Sequence, residues 1–506
     1  MKNIIVCCDG TWNTPTETEH GLPSPTNVVK LFNALVRDDS KQLAYYHPGV
    51  GTGKGWWDRV AGGGTGEGLD QNIMSAYRWL GTHFAVGDKI FLFGFSRGAY
   101  TVRSLGGLIT KCGLVDLSAR MKPDQVWKRV GEVFAAYRKG VEFANPDNYP
   151  FYNTPAGQSA KERTPIHFIG VWDTVGALGI PEDLALLGLL DSANKYRFHD
   201  TTLSHMVANA RHAVALDEKR ASFAPTLWLE PKPQTDMKQV WFPGVHSDVG
   251  GGYLETGLSD RALEWMMDEA ESCGLFFRAD VKAQLNPDPR GIAHDSCTGI
   301  FKALKTRPRS VPAIPVGAAI LDRSTIERNK NPPLLQGDYW PTTVLPTGES
   351  RTVNIYAAEH WRRTELYLEA GKTYQFSATG QWVDHRDRFG PGGGKDTGFH
   401  LGDLVRSASS LLGEAETIFK NVTGREADFW FTRRDEKAPW FALMGFVASA
   451  VGEDATTLAQ GEGFLIGESA TFAPTLGGYL YCYANDAWQT YGNNRGSVQL
   501  TVTRTP

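Results

Sequence analysis

The stretch KIFLFGFSRGAY, residues 89–100, decides the fold of this chain. Its first seven residues are mostly apolar and rich in Phe, Leu and Ile, which is typical of a buried β-strand. Ser96 follows between Gly94 and Gly98, and residues 98–113 then have helical spacing. Glycines two positions before and after a serine permit the tight strand-to-helix turn that exposes a nucleophilic hydroxyl. The alternative, an ordinary serine in a glycine-rich turn, stays open on this stretch alone.

Length and composition indicate a globular protein. The chain has 506 residues, 41% of them apolar and 21% charged, and a net charge of −4. It therefore lacks the basic field that attracts nucleic acid. The amino terminus, MKNIIVCCDGTWN, is interpreted as a first strand and not as a secretory signal, and no apolar window is long enough to span a membrane. We expect a protein made in the cytoplasm without a Sec signal, with its six cysteines reduced.

The chain up to about residue 255 alternates short apolar runs with helical patterns. The predicted strands are 3–8, 42–47, 89–95, 165–173 and 239–246, and the predicted helices are 69–84, 98–113 and 259–274, the last with Ser259 as N-cap. Near-continuous apolar strands separated by helices indicate a parallel sheet covered on both faces. The proline-rich stretch from about 275 to 350 is expected to form an irregular coat on this domain. The prediction is an α/β catalytic domain over 1–345.

From residue 351 onward the pattern is that of β-structure. Runs such as TYQFSATGQW and GSVQLTVTR alternate apolar and polar residues without helices between them, which predicts a β-sandwich domain over 351–506. One stretch, 401–422, has helical spacing instead and predicts an inserted amphipathic helix. Its apolar face either packs within the protein or contacts a membrane.

A serine nucleophile needs a base within hydrogen-bonding reach and an acid that orients the base. In α/β hydrolases these residues follow in the order serine, acid, histidine. Asp173 ends the run HFIGVWD and His246 ends the run VWFPGVH, so both are predicted to project into one crevice at an edge of the sheet. Taken singly, Asp173 could equally be a turn residue and His246 a loop histidine. The order of all three predicts an α/β hydrolase with the triad Ser96, Asp173 and His246.

An acyl-transfer site also needs N–H donors for the oxyanion. The backbone N–H of Arg97 is one candidate, because it lies at the positive end of the predicted helix. The loop after the first strand, CDGTWN, offers Gly10 and Thr11 as a second, although Asp-Gly is also a common turn. Two further acids and one further base remain as alternatives for the triad: Asp217, Asp248 and His212.

Six motifs follow one another along the first domain. They are CDGTWN, YYHPGVGTG, GFSRGAY, GVWDTVGALG, RHAVALDEKR and FPGVHSDVGGGY. Together they resemble the catalytic domain of the type VI secretion phospholipase effectors of the first lipase-effector family, over roughly residues 1–345. The resemblance implies the triad named above, a lipid substrate and export by type VI secretion. It also implies a spike protein and an immunity protein as partners.

The end of the chain, YANDAWQTYGNNRGSVQLTV, resembles the final hairpin of the calcium-dependent galactophilic bacterial lectins. The resemblance implies a Ca²⁺ held by oxygen ligands: Asp486, Thr490, Asn493, Asn494 and a main-chain carbonyl near Asp384 or His385. The alternative is that Asn-Asn-x-Gly is simply a favourable turn. A carbohydrate ligand is implied as well, with Asp396 and His400 as the candidate contacts.

Three functions of different classes remain. The first is a serine esterase that hydrolyses a lipid ester in the manner of a phospholipase A and needs no cofactor for catalysis. The second is a deacylase of acylated glycans or glycolipids that the lectin-like domain targets to its substrate. The third is a lectin or secretion adaptor on a hydrolase scaffold that has no catalytic role.

Overall fold

The computed structural model describes most of the chain in two compact units. The described residues are 1–10, 18–49, 65–152, 165–175, 203–228, 235–298, 301–302, 305–314, 320–394, 433–449 and 461–506. The first unit comprises Met1–Thr298 and Ala319–Gly337, and the second comprises Gly299–Ala318 and Asp338–Pro506. Residues 299–318, which the sequence analysis assigns to the first domain, thus group with the second unit.

The first unit is built from alternating strands and helices. Its strands are β1 Asn3–Cys8, β2 Thr18–Glu19, β3 Leu22–Pro23, β4 Gln42–His47, β5 Lys89–Phe95, β6 Leu114–Val115, β7 Phe151–Tyr152, β8 Ile166–Trp172, β9 Val207–Ala215 and β10 Asp236–Phe242. Its helices are α1 Asn27–Ala34, α2 Thr65–His83, α3 Arg97–Cys112, α4 Pro123–Arg138, α5 His246–Gly250, α6 Gly257–Ser272, α7 Ala279–Lys282 and α8 Arg323–Lys330. The order of these elements is that of an α/β domain.

Six of the described strands form one parallel sheet in the order β10-β9-β8-β5-β1-β4. Successive side chains of β5 alternate between two separate cores. Ile90 and Leu92 belong to the cluster on one face, and Phe91 and Phe93 belong to the cluster on the other. A strand buried on both faces needs apolar residues at nearly every position, which explains the composition of KIFLFGF.

The structure confirms the predicted parallel sheet and corrects several boundaries. Strand β9 was not predicted, because Arg211 and His212 interrupt its apolar run, although both are buried. Strand β10 ends at Phe242, so His246 begins a short helix and does not end a strand. Ser259 is not an N-cap, since helix α6 begins at Gly257 and Thr256 precedes it. The proline-rich stretch, expected to be irregular, contains helix α8.

The second unit consists of antiparallel sheets. Its strands are β11 Ser350–Tyr356, β12 Arg362–Leu368, β13 Tyr374–Asp384, β14 Asp387–Phe389, β15 Leu443–Ser449, β16 Glu462–Leu465, β17 Ser469–Phe472, β18 Gly478–Ala484 and β19 Asn494–Arg504. Among the described residues, five of these strands form one sheet and four form another, and apolar residues of both sheets make one core. This is the layering of the predicted β-sandwich.

Two expectations concern helices. The predicted helix at 401–422 lies outside the described residues. Among the helices that the structure describes, none combines the length and the apolar character that crossing a bilayer requires.

The central strand yields a prediction about stability. Phe93 is fully buried and packs against Phe168, with 5.4 Å between the ring centroids. Replacing Phe93 by alanine should lower the free energy of unfolding by about 3–5 kcal/mol, because it leaves a cavity in a packed core. Urea unfolding measures the change. Val86→Ala, at a residue that is 73% exposed, is the control, and an equally small effect at Phe93 would contradict the proposed core.

Candidate active site

Ser96 occupies a strained turn between β5 and α3. Its backbone has φ 56° and ψ −123°, in the region that residues with a side chain rarely adopt. A Cβ at Gly98 would lie 2.1 Å from the Cys8 carbonyl oxygen, and one at Gly94 would lie 2.4 Å from the Gly98 carbonyl oxygen. Both glycines of the motif are therefore required for close backbone approach. The turn has the geometry of a nucleophile elbow.

His246 and Asp173 meet at the same edge of the sheet. The His246 Nδ1 atom lies 2.6 Å from Asp173 Oδ2. The other oxygen, Asp173 Oδ1, accepts the Ala215 N–H at 3.0 Å, so the carboxylate is fixed at both ends. An ionised carboxylate only accepts hydrogen bonds, so the imidazole proton lies on Nδ1 and Nε2 retains its lone pair. This is the tautomer that a general base requires.

The backbone brings Ser96 next to Asp173. The Ser96 N–H donates to the carbonyl oxygen of Trp172, the last residue of β8, at 3.2 Å. The hydrogen bonds between described residues include none from the Ser96 hydroxyl to His246. In unliganded hydrolases this bond is often long and tightens when substrate binds. Ser96, His246 and Asp173 are 9%, 4% and 0% exposed, so the site is largely screened from water.

Burial controls the basicity of His246. It lowers the pKa of His246 below its ordinary value of 6.5, although the hydrogen bond and charge of Asp173 act in the opposite direction. Two aromatic rings contribute to this burial. The centroids of Phe95 and Phe223 lie 4.6 Å and 5.0 Å from that of the imidazole. The lowered pKa favours the neutral form of His246 near pH 7.

The oxyanion candidates differ in their surroundings. Arg97 is the first residue of helix α3, so its N–H lies at the positive end of the helix. The Gly10 N–H donates to Asp9 Oδ1 at 2.7 Å, so this donor is already engaged. Thr11 lies outside the described residues. Of the candidates, the Arg97 N–H keeps the position predicted for an oxyanion donor, at the start of a helix.

The three alternative triad candidates have structural hydrogen bonds. Asp217 Oδ2 accepts the Gly244 N–H at 2.7 Å. Asp248 Oδ1 lies 2.6 Å from Nδ1 of His294, which is thereby a second His–Asp pair. His212 Nε2 accepts the Thr174 N–H at 3.1 Å, which occupies the lone pair that a base would use. Each of the three would have to give up the hydrogen bond described here before it could replace Asp173 or His246 in the predicted triad.

Sequence reasoning missed two residues near His246. Glu218 accepts the His246 N–H at 3.3 Å, and Phe223 packs against the imidazole ring. Both follow strand β9, which was itself not predicted. Glu218 is part of the motif RHAVALDEKR, which the sequence analysis quotes. It was not singled out because charged residues in such a run are usually exposed.

A second group of polar residues lies in the second unit. Asn494 pairs with Asp384 in the β13–β19 register, and Asn494 Nδ2 donates to Asp486 Oδ2 at 2.8 Å. Among the described residues, the buried Oδ1 atoms of Asn493 and Asn494 have no hydrogen-bond partner. Thr490 Oγ1 donates to the Ala487 carbonyl oxygen at 2.8 Å. The structure thus places Asp486 and Asn494 in contact, with Asp384 opposite Asn494 and with Thr490 and Asn493 in the adjacent 3₁₀ turn.

The two carboxylates of this group are electrostatically unfavourable as they stand. Burial raises the pKa of Asp486 to about 6, and the charge of Asp384 adds to the shift. Burial also raises the pKa of Asp384, whose Oδ2 accepts the Trp440 indole N–H at 3.0 Å. Groups of three or more His, Cys, Asp or Glu placed for a metal are absent from the described residues, so any cation here would rely on amide and carbonyl oxygens as well. Asp396 and His400 lie outside those residues.

The six-stranded parallel sheet with its helices, and the tight turn at Ser96 after β5, are consistent with the class of the α/β hydrolases. The sequence model of one family within this class, described as "T6SS, Phospholipase effector Tle1-like, catalytic domain", matches residues 2–269. The chain belongs to this family. The predicted resemblance of the first domain is thereby confirmed.

Individual proteins give more distant matches. The chain is 32% identical over 244 residues to an uncharacterized protein of Saccharomyces cerevisiae, a match that covers 44% of this chain and 32% of the relative's length. A crystal structure of an uncharacterized protein from Pseudomonas aeruginosa shares 18% identity over 57% of this chain and 49% of its own, with a TM-score of 0.32. The EclA N-terminal domain, a PllA-like lectin, shares 16% identity over 30% of this chain and 94% of its own, with a TM-score of 0.18. Both TM-scores are too low to establish a shared fold.

The elbow yields a test of its steric requirement. Gly98→Ala forces a Cβ against the carbonyl oxygens of Cys8 and Asp9, so helix α3 must shift. We expect a loss of about 1–3 kcal/mol in the free energy of unfolding. Gly131→Ala, in the interior of α4 where a Cβ meets nothing within 4 Å, should instead stabilise the protein by about 0.5–1 kcal/mol. Equal unfolding midpoints for the two variants would contradict the close approach.

Proposed function

We propose that this protein is a serine esterase that hydrolyses a lipid ester in the manner of a phospholipase A and acts as a type VI secretion effector. Family membership supports the lipase class, and the 2.6 Å contact between His246 Nδ1 and Asp173 is the observation that supports the serine mechanism. That contact leaves Nε2 of a buried, neutral imidazole available as a base. An antibacterial role, with an immunity protein as its partner, is part of this proposal.

The mechanism follows from these positions. His246 Nε2 removes the proton of the Ser96 hydroxyl, and Ser96 Oγ attacks the ester carbonyl. The Arg97 N–H, at the start of α3, stabilises the oxyanion that forms. The tetrahedral intermediate collapses, and the imidazolium transfers its proton to the departing alcohol. Water, deprotonated by the same histidine, then hydrolyses the acyl-enzyme and releases the fatty acid.

Removal of the nucleophile is the direct test. Ser96→Ala should reduce the release of fatty acid from a bacterial total lipid extract by on the order of 10⁶, because base and acid cannot act without the nucleophile. Mass spectrometry of the extract measures the products and identifies the ester. The control is Ser104→Ala, at a buried serine inside helix α3, and this variant should keep the wild-type activity. Hydrolysis by Ser96→Ala at the wild-type rate would contradict the proposal.

The pH dependence follows from the buried base. His246 must be neutral to accept a proton, and burial lowers its pKa below 6.5. The acid limb of kcat/KM, which reports the free enzyme, should therefore have its midpoint below pH 6.5. A pH series with a soluble short-chain ester measures it. A midpoint above that value would show that the base is exposed or is a different group.

We also propose that the second unit binds Ca²⁺. A hard cation prefers six to eight oxygen ligands, and two carboxylates with two buried amide oxygens supply at most six of them. The observation that supports the fit is the absence of hydrogen-bond partners, within the described residues, for Asn493 Oδ1 and Asn494 Oδ1. Asp384, Asp486 and these two amides would hold the ion, which would offset the repulsion between the carboxylates.

Calcium removal tests this second proposal. Ca²⁺ at a hundredfold excess over its Kd should stabilise the second unit by about 2.7 kcal/mol, seen as a higher Tm than in EDTA. Asp486→Asn should abolish the difference, because it removes one buried ligand charge. Asp338→Asn, at an exposed aspartate of the same unit, is the matched control and should retain it. A wild-type Tm that is the same in Ca²⁺ and in EDTA would overturn the proposal.

A further inference from the structure

We infer that Glu218 and Phe223 are positioning residues for the proposed base, with Glu218 fixing the main chain of His246 and Phe223 fixing its ring. The inference rests on the proposed function, since it assumes that His246 is the base. It is carried by a continuous set of hydrogen bonds and ring contacts in the loop that follows strand β9.

Glu218 is a buried carboxylate with an extensive set of donors. Its side chain has 0% exposure and forms an ion pair with Arg220, whose Nη2 lies 2.7 Å from Oε2. The Arg220 Nε donates to Oε1 at 2.9 Å, so the pair is bidentate. The Ser296 hydroxyl and the backbone N–H groups of Lys219 and Arg220 also donate to Oε1, at 2.8, 3.0 and 2.8 Å. A carboxylate held by this many donors has one orientation.

Two routes connect this carboxylate to His246. The direct route is the hydrogen bond from the His246 N–H to Glu218 Oε2, at 3.3 Å. The indirect route passes through Arg220, whose guanidinium carbon lies 3.4 Å from the centroid of the Phe223 ring. Phe223 in turn meets the imidazole edge to face, at 5.0 Å and 83°. One ion pair therefore constrains both the backbone and the ring of the base.

These constraints restrict what the imidazole can do. Asp173 holds Nδ1, while Phe95 and Phe223 pack against the ring, so rotation about the side-chain bonds is blocked. Nε2 is then held in one direction, which a general base needs for a productive approach to the serine hydroxyl. The charged groups that act on His246 are Asp173 and Glu218, which raise its pKa, and Arg220, which lowers it. Loss of the Glu218 charge would remove one of the two carboxylates that raise the pKa of His246.

The rate at which a fluorophosphonate labels Ser96 measures how well His246 is positioned, and this measurement needs no lipid substrate. For Glu218→Gln we expect the rate of labelling to fall by up to about a hundredfold, as a misplaced reacting group does. The acid limb of the pH profile of the labelling rate should also move to lower pH. The reason is that loss of the negative charge of Glu218 lowers the pKa of His246. Phe223→Leu should slow labelling too, but move the limb to higher pH, because the smaller side chain admits water to the imidazole. Phe223→Leu removes no buried charge, so it keeps the test valid if Glu218→Gln fails to fold.

Glu269→Gln is the matched control. Glu269 Oε2 also pairs with a buried arginine, 2.6 Å from Arg211 Nε, but no described contact joins it to His246. This variant should be less stable than the wild type, but it should have the same labelling rate and the same acid limb in its pH profile. Labelling of Glu218→Gln and Phe223→Leu at the wild-type rate and with an unmoved limb would overturn the inference. Wild-type protein that fails to label would instead overturn the proposed function, which distinguishes the two failures.

Discussion

The hydrogen bonds that continue the parallel sheet beyond its strands determine where the chemistry of the first unit lies. Ser96 follows β5 and donates its N–H to Trp172 of β8, while the Asp173 N–H donates to the Ala213 carbonyl oxygen of β9 at 2.7 Å. The positions of the proposed nucleophile and the proposed acid are thereby set by backbone register and not by flexible side chains. Because the carboxyl ends of parallel strands share one edge, residues far apart in sequence meet there.

Close backbone packing also determines the geometry at this edge of the sheet. Helix α3 can start at Arg97 only because Gly98 allows its backbone to touch the carbonyl groups at the end of β1. The strained φ of Ser96 is thus maintained by the packing of α3 against strands β1, β5 and β8. His246 reaches this edge differently, from a short helix after β10, and it relies on side-chain contacts to hold its direction. This difference explains why buried polar groups concentrate around the histidine.

Much of this arrangement could be predicted from sequence. Strand β5 was predictable because burial on both faces requires a continuous apolar run. Ser96, Asp173 and His246 could be singled out because each of them follows such a run. Strand β9 was not, because its ion pairs and hydrogen bonds satisfy Arg211 and His212 inside the sheet, and sequence patterns do not show tertiary partners. The engagement of the Gly10 N–H by Asp9 is likewise a property of local geometry. In the second unit, the resemblance named the oxygen ligands, and only the structure could show that two of those oxygens lack partners among the described residues.

Identification of the residue that reacts with a fluorophosphonate is the most direct test of whether Ser96 is the nucleophile. Wild-type protein treated with a fluorophosphonate, digested and mapped by mass spectrometry should carry one phosphonyl adduct, on the peptide that contains Ser96. We predict this because the proposed mechanism makes Ser96, in the turn after β5, the nucleophile that His246 activates. An adduct on a different serine, with Ser96 unmodified, would contradict it.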